Sequence, residues 1–182
     1  MLKINKKKGF LFWITGFSGS GKSSLGKIFK KEVEKDFGKT IIIHGDDLRN
    51  ILKLNKYDKK SRLENGKKYC KLLKLITDQN VNVIITVVGM FHSLRNWNRN
   101  NINNYVEIYI KSKIKMIKDK TSKKTYIKFN KDIVGQDIKP ELPKNPDIII
   151  TNDFKITSKD LSKILLKKFK KKYEKNYKEF IK

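Results

Sequence analysis

The stretch Gly16–Ser23, GFSGSGKS, follows directly on the apolar run Phe10–Thr15, FLFWIT. It fits the spacing G-x-x-x-x-G-K-[ST]. Glycines let the backbone wrap so that successive N–H groups converge on phosphate oxygens, the lysine reaches the terminal phosphates, and the last hydroxyl ligates Mg²⁺. A helix opening near Lys22 adds its N-terminal dipole. The alternative is a glycine turn that merely links a strand to a helix, but a strand before and a helix after favour a nucleoside-triphosphate site. On this reading Gly16, Ser18, Gly19, Ser20, Gly21, Lys22, Ser23 and Ser24 bind ATP. Lys22 also takes part in catalysis and Ser23 is the metal ligand, while Ser18, Ser20 and Ser24 serve loop spacing and packing more than chemistry.

The rest of the chain sets this loop in a repeating pattern. Thr40–His44, Val81–Val88, Asn104–Ile110 and Asp147–Thr151 read as further strands. Lys22 to about Lys35 carries Leu25, Ile28, Phe29 and Val33 at helical spacing. Ser61–Gln79 places Leu63, Tyr69, Leu72, Leu73 and Ile76 on one helical face, and Ser158 is a candidate N-cap for a last helix. Strands alternating with helices predict one three-layer α/β domain over residues 1–182, with a mainly parallel five-stranded sheet. The stretch from about 111 to 146 breaks the rhythm and ends in Pro140, Pro143 and Pro146, which suggests a mobile lid. Residues from about 158 to 182 read as a basic C-terminal helix.

With 44 Lys+Arg against 18 Asp+Glu, the net charge is +26, which could signal nucleic-acid binding. The excess is spread along the whole chain, however, and Asn and Ile are abundant too, as compositional bias would produce. A basic nucleic-acid-binding protein that uses the loop for assembly is therefore the lesser reading, and no specific nucleic-acid partner is expected. Arginine occurs only at 49, 62, 95 and 99. Where lysine serves almost everywhere else, these positions suggest a need for planar, bidentate geometry. The lone Cys70 reads as a packing residue, and His44 and His92 lack metal-ligand spacing. No run is long enough to span a membrane and the N-terminus is too short for a signal peptide, so a cytoplasmic location is expected.

No N-K-x-D motif of a GTPase occurs, and Val81–Val88 does not end in a carboxylate as in motor or transport ATPases. The acidic residues instead follow the second strand, in His44–Arg49, HGDDLR. Small-molecule kinases often meet their acceptor there. Asp46 can accept the acceptor's proton or hydrogen-bond its hydroxyl, and Asp47, pointing elsewhere, reads as structural.

These residues resemble the adenylyl-sulfate (APS) kinase family from about Phe10 to Asn152. That family carries a P-loop of the form G-[LF]-[ST]-G-[AS]-G-K-[ST], then D-G-D-N-[VL]-R, E-N-I-R-R, I-S-P, R-D-x-K-G-L-Y, F-T-G-I-D and E-N-P-D. The resemblance implies a P-loop kinase fold, ATP and Mg²⁺ as cofactors, a small nucleotide acceptor and a homodimer. It implies phosphorylation of the 3′-hydroxyl of adenylyl sulfate, in sulfate assimilation. Carried over by position, it makes Asp46 the catalytic aspartate and Lys118 a nucleotide-binding residue of the lid. It makes Arg49, Tyr57, Arg62, Asn65, Val88, Gly89, Lys131 and Ile133 substrate-binding, with Tyr57 stacking on the base. Several positions depart from the family. Ile-Arg-Arg is Gly66-Lys67-Lys68, I-S-P is Val88-Gly89-Met90, and the Phe of F-T-G, the second ring around the base, is Ile133. The lid motif is stretched to Lys118–Tyr126. The segment VVGMFHSLRNWNRNNINNYVEIYI also resembles a divergent branch linked to surface polysaccharides, where the same chemistry acts on cytidine diphosphoramidate. That resemblance puts Arg95, Trp97 and Arg99 near the acceptor mouth.

Overall fold

The structure is a computed structural model that describes residues 4–120 and 132–180. In chain order its elements are β1 (Phe10–Thr15), α1 (Lys22–Phe37), β2 (Thr40–His44), α2 (Gly45–Ile51), α3 (Lys59–Asp78), β3 (Asn82–Val87), α4 (His92–Asn101), β4 (Asn104–Lys111), α5 (Ile114–Lys120), β5 (Ile148–Thr151) and α6 (Ser158–Phe180). The five strands form one parallel sheet in the order β2-β3-β1-β4-β5.

Alternation along β1 builds two cores at once. Phe10, Phe12 and Ile14 face one layer, where they meet Leu25, Phe29 and Val33 of α1 and Leu161, Leu165 and Phe169 of α6. Leu11 and Trp13 face the other, against Tyr69, Cys70 and Leu73 of α3 and Leu94 of α4. With helices on both faces, parallel strands read as near-continuous apolar runs. For that reason β4 is buried from Asn104 to Ile110, although its sequence alternates.

Asparagines close the lower edge of the sheet. Asn82 Oδ1 accepts from the Phe10 N–H at 2.9 Å and its Nδ2 donates to the Phe37 carbonyl at 2.9 Å. Asn104 accepts from the Asn5 N–H and donates to the Asn5 and Lys8 carbonyls. Both side chains are buried, and Asn82 satisfies the Phe10 N–H inside the core.

Several expectations need correction. Leu72 turns outward on α3, and the buried face runs through Asn65, Gly66, Tyr69, Cys70 and Leu73. The last helix is capped by Thr157 rather than Ser158: the Asp160 N–H donates to Thr157 Oγ1 at 3.2 Å, and the threonine hydroxyl donates back to the Asp160 carboxylate at 2.7 Å. The 111–146 stretch holds a helix, α5, whose Ile117 is fully buried against Phe17, Met90 and Tyr109. Two short helices with few apolar residues, α2 and α4, are additional to the expected elements.

Asn82→Ala strands the buried Phe10 N–H and takes a partner from the part-buried Phe37 carbonyl. It is expected to lower the unfolding free energy by about 1–3 kcal/mol, read from urea denaturation. An unchanged midpoint would mean that those groups find other partners.

Candidate active site

The phosphate loop leaves β1 where its two neighbours, β3 and β4, diverge, at the carboxyl end of the sheet where open α/β folds bind ligands. Gly21 adopts φ 90°, a left-handed value that a side chain tolerates poorly, and a Cβ there would lie 2.9 Å from Asn152 Nδ2. That same Asn152 amide donates to the Ser20 carbonyl at 3.0 Å and pins the loop from the end of β5. No side chain caps α1, so its first-turn amides remain open to a phosphate. Phe17 anchors the loop to the other wall; a Cβ on Gly135 would come within 2.7 Å of its ring.

Lys22 is buried at the mouth of the loop and donates to the Phe17 carbonyl at 2.7 Å. Burial pulls its ammonium down to about 8, against the opposing attraction of Asp46 across the cleft. The cleft measures about 390 Å³, within the range of small-molecule sites. Ser18, Gly19, Gly21, Lys22, Ser23 and Ser24 line its loop side. Gly16 and Ser20 lie behind the loop: Gly16 is pressed against the Ile110 carbonyl, and the Ser20 hydroxyl is buried without a partner. The residues present therefore fit a polyphosphate: uncapped amides, a cradle that a Cβ at Gly21 would fill, and a buried cation that forms no ion pair among the described residues. Among the described residues no group of three or more His, Cys, Asp and Glu could hold a metal alone. Such a donor set suits Mg²⁺, which keeps several waters and leans on phosphate oxygens, with the Ser23 hydroxyl as protein ligand.

Opposite the loop, α2 opens directly after β2 and carries Asp46 into the cleft, whereas Asp47 lies outside its lining. Arg49 Nη1 donates to the carbonyls of Leu54 (2.7 Å) and Lys56 (2.9 Å). Arg62 Nε donates to the Tyr57 carbonyl and Nη2 to the Asp132 carbonyl at 2.9 Å. Both guanidiniums sit over the Tyr57 ring, 4.1 and 5.2 Å from its centroid. Burial, then the Arg49 charge, lowers the Arg62 pKa. Among the described residues neither arginine forms an ion pair, so two like charges converge on one ring, where an anion would be attracted. Asn65, Val88 and Gly89 complete this side.

Other expected site residues fall elsewhere. Lys118 is exposed on the last turn of α5, and neither it nor Ile133 lines the cleft; Val134, Ile138 and Lys139 take that wall. Lys131 lies outside the described residues. Arg95 and Arg99 are framework rather than acceptor mouth. Arg95 Nε pairs with Glu107 at 3.2 Å in the interior, and Arg99 bridges Glu107 and Asp147 at 3.2 and 3.1 Å. Arg95 also donates to the carbonyls of Gly89 and Glu141, which ties two cleft-lining segments together from behind. Trp97 packs half-buried against the α3–α4 core. Cys70 is inert, with burial pushing its thiol up to about 12.

Sequence reasoning passed over Trp13, His44 and Tyr69 as lining residues. His44 Nδ1 shares a 2.7 Å hydrogen bond with Thr86 Oγ1 at the root of the cleft. The signal for Tyr69 was available: it sits one helical turn beyond Asn65 on the same face of α3. For Trp13 it was the β1 alternation, and for Lys139 there was none.

Lys22 supplies a pH prediction. In the free protein its ammonium loses its proton near pH 8, and bound phosphates raise that value. Nucleotide binding at about pH 8.5 should therefore take up a fraction of a proton, and affinity should fall as pH rises through and beyond 8. Calorimetry in buffers of different ionisation heat measures the uptake. A binding heat independent of buffer in the wild type would contradict it, and Lys22→Met should abolish it.

The family model of adenylylsulphate kinase matches residues 8–151. The chain is 32% identical over 165 residues to the cytidine diphosphoramidate kinase of Campylobacter jejuni, covering 88% of this chain and 96% of that protein. It is 28% identical over 169 residues to the adenylyl-sulfate kinase of Clostridium kluyveri, covering 90% and 85%. The structure of a Mycobacterium tuberculosis APS kinase in complex with AMPPNP and APS shares the fold, with a TM-score of 0.78 at 22% identity over 90% of this chain and 98% of that one. This chain belongs to the adenylylsulphate kinase family, and it is a phosphotransferase with a hydroxyl acceptor.

Proposed function

We propose that the chain transfers the γ-phosphoryl group of ATP to the 3′-hydroxyl of a nucleotide whose 5′-phosphate carries a further substituent. The observation that carries this reading is one cleft, with Lys22 and Ser23 on one side and Asp46, Arg49, Tyr57, Arg62 and Asn65 on the other. Mg²⁺, bound with the nucleotide, neutralises charge that develops on the phosphate oxygens. Lys22 holds the terminal phosphates. Asp46 hydrogen-bonds the acceptor hydroxyl, keeps it in line, and takes its proton as the new bond forms. Arg49 and Arg62 turn to the acceptor's anionic end, leaving the Tyr57 ring to the base. Homodimer formation belongs to the same proposal; light scattering at twice the 21.4 kDa chain mass would support it.

Two acceptors fit the reaction. Cytidine diphosphoramidate is favoured by the relative that matches over 96% of its length and by Ile133 at the position where the family carries a second ring around the base, a segment from which Val134 and Ile138 line the cleft. A stacked ring contributes roughly 1–3 kcal/mol per base, so its loss weakens the hold on adenine most. Adenylyl sulfate is the second reading, supported by the P-loop and acceptor motifs and by the adenylyl-sulfate kinase relatives.

Asp46→Asn should lower kcat by about 10²–10⁴ while the KM for either acceptor changes less than about fivefold. A raised KM with kcat unchanged would remove Asp46 from the proton-transfer role.

A further inference from the structure

Asn65, Gly66 and Tyr69 continue the cleft-lining face of α3 that Arg62 begins. Beyond the two arginines this face meets Trp13 of β1 and Leu94 of α4. Two polar atoms in that wall, Trp13 Nε1 and Tyr69 Oη, are shielded from water and make no hydrogen bond among the described residues. Trp13 is 1% exposed and Tyr69 7%, yet both residues line the cleft. Buried polar atoms are rarely left unpaired in native proteins, and a pair of them in a ligand cleft calls for a ligand partner.

Their place in the cleft says which part of a ligand they meet. The Tyr69 hydroxyl lies in the electrostatic field of Arg49, Asp46 and Tyr57, and burial above all raises its pKa. Tyr69 lies two helical turns beyond Arg62 on the same face of α3, in the cleft that also holds Asp46 and Arg49. Gly66 shapes the same wall. A Cβ there would come within 2.2 Å of Leu94 Cδ1, so Leu94 fills the space that an isoleucine side chain would need.

The chemistry of these groups differs from that of the arginines. Guanidinium and indole N–H groups only donate, whereas a phenol oxygen also accepts. Tyr69 Oη thus adds an acceptor to a grip dominated by donors. Resting on the reading above of a 5′-substituted nucleotide, the geometry points to Tyr69, with Trp13 in the same wall, as the residue that selects an end group bearing N–H, an amidate, over one bearing only oxygens.

The test compares cytidine diphosphoramidate with CDP, which differ only at the terminal phosphorus, as acceptors for wild type and Tyr69→Phe with Mg·ATP. The ring is retained, and a thermal melt checks the fold. Wild type should prefer the amidate. Tyr69→Phe should raise the KM for the amidate about tenfold, the loss of roughly one hydrogen bond, while the KM for CDP moves less than about twofold. Equal changes on both nucleotides, or none, overturn the assignment. If wild type uses both alike, the selection is wrong while the reaction stands. If wild type phosphorylates neither of these nor adenylyl sulfate, the nucleotide-kinase reading fails, and this inference with it.

Discussion

Burial of β1 on both faces fixes where the phosphate loop can be. Phe10, Phe12 and Ile14 are locked under α1 and α6, and Leu11 and Trp13 under α3 and α4. A strand held this way cannot slip by one residue without turning both sets to the wrong layer. Its last residue therefore delivers Gly16 to one point, between β3 and β4. The loop is then secured by contacts specific to that point: Asn152 on the Ser20 carbonyl, Phe17 in the α5 cluster, and Lys22 on the Phe17 carbonyl. Preorganisation of this kind lets the amides meet a phosphate without rearranging at the moment of reaction.

The four arginines divide into two pairs with different tasks. Among the described residues Arg49 and Arg62 form no ion pair, and they share the Tyr57 ring, so their charge is available to an anion. Arg95 and Arg99 converge on Glu107, a carboxylate buried in the middle of β4, with Asp147 and Lys172 extending the network to α6. Burial raises the Glu107 pKa, and the two guanidiniums oppose that shift. A buried charge set like this contributes little net stability against an apolar replacement, but removing one member costs several kcal/mol. What it adds here is position: Arg95 reaches through to the carbonyls of Gly89 and Glu141, at the back of the acceptor wall.

Much of this was legible in the residues themselves. The motif Gly16–Ser23 and the flanking apolar run identified the loop because phosphate binding restricts the backbone to a few shapes. Asp46, Arg49, Arg62 and Asn65 were found because they follow the second strand and open the third helix, and the structure brings them to one cleft. Arg95 and Arg99 were placed near the acceptor mouth by the resemblance to the divergent branch, but their guanidiniums serve the interior carboxylate Glu107 instead. The helices α2 and α4 escaped because they are short and carry few apolar residues, Leu48 and Ile51 in one and Leu94 and Trp97 in the other. Ile133 and Lys118 were carried over by motif position; Lys118 falls on the exposed side of α5, and which side chain of the irregular stretch around Ile133 faces the cleft depends on backbone turns such as the Val134–Ile138 bridge, which no spacing rule encodes.

The central claim is that one cleft joins ATP to the 3′-hydroxyl of a substituted nucleotide. Its most direct test is ADP release from Mg·ATP with cytidine diphosphoramidate, adenylyl sulfate, AMP, CMP or no acceptor, with the product's phosphate located by ³¹P NMR. The account predicts turnover with a 5′-substituted nucleotide well above that with AMP, CMP or water, highest with the cytidine compound, and a new phosphate on the 3′-oxygen. ADP release that is independent of acceptor, or a phosphate placed elsewhere than on the 3′-oxygen, would contradict it.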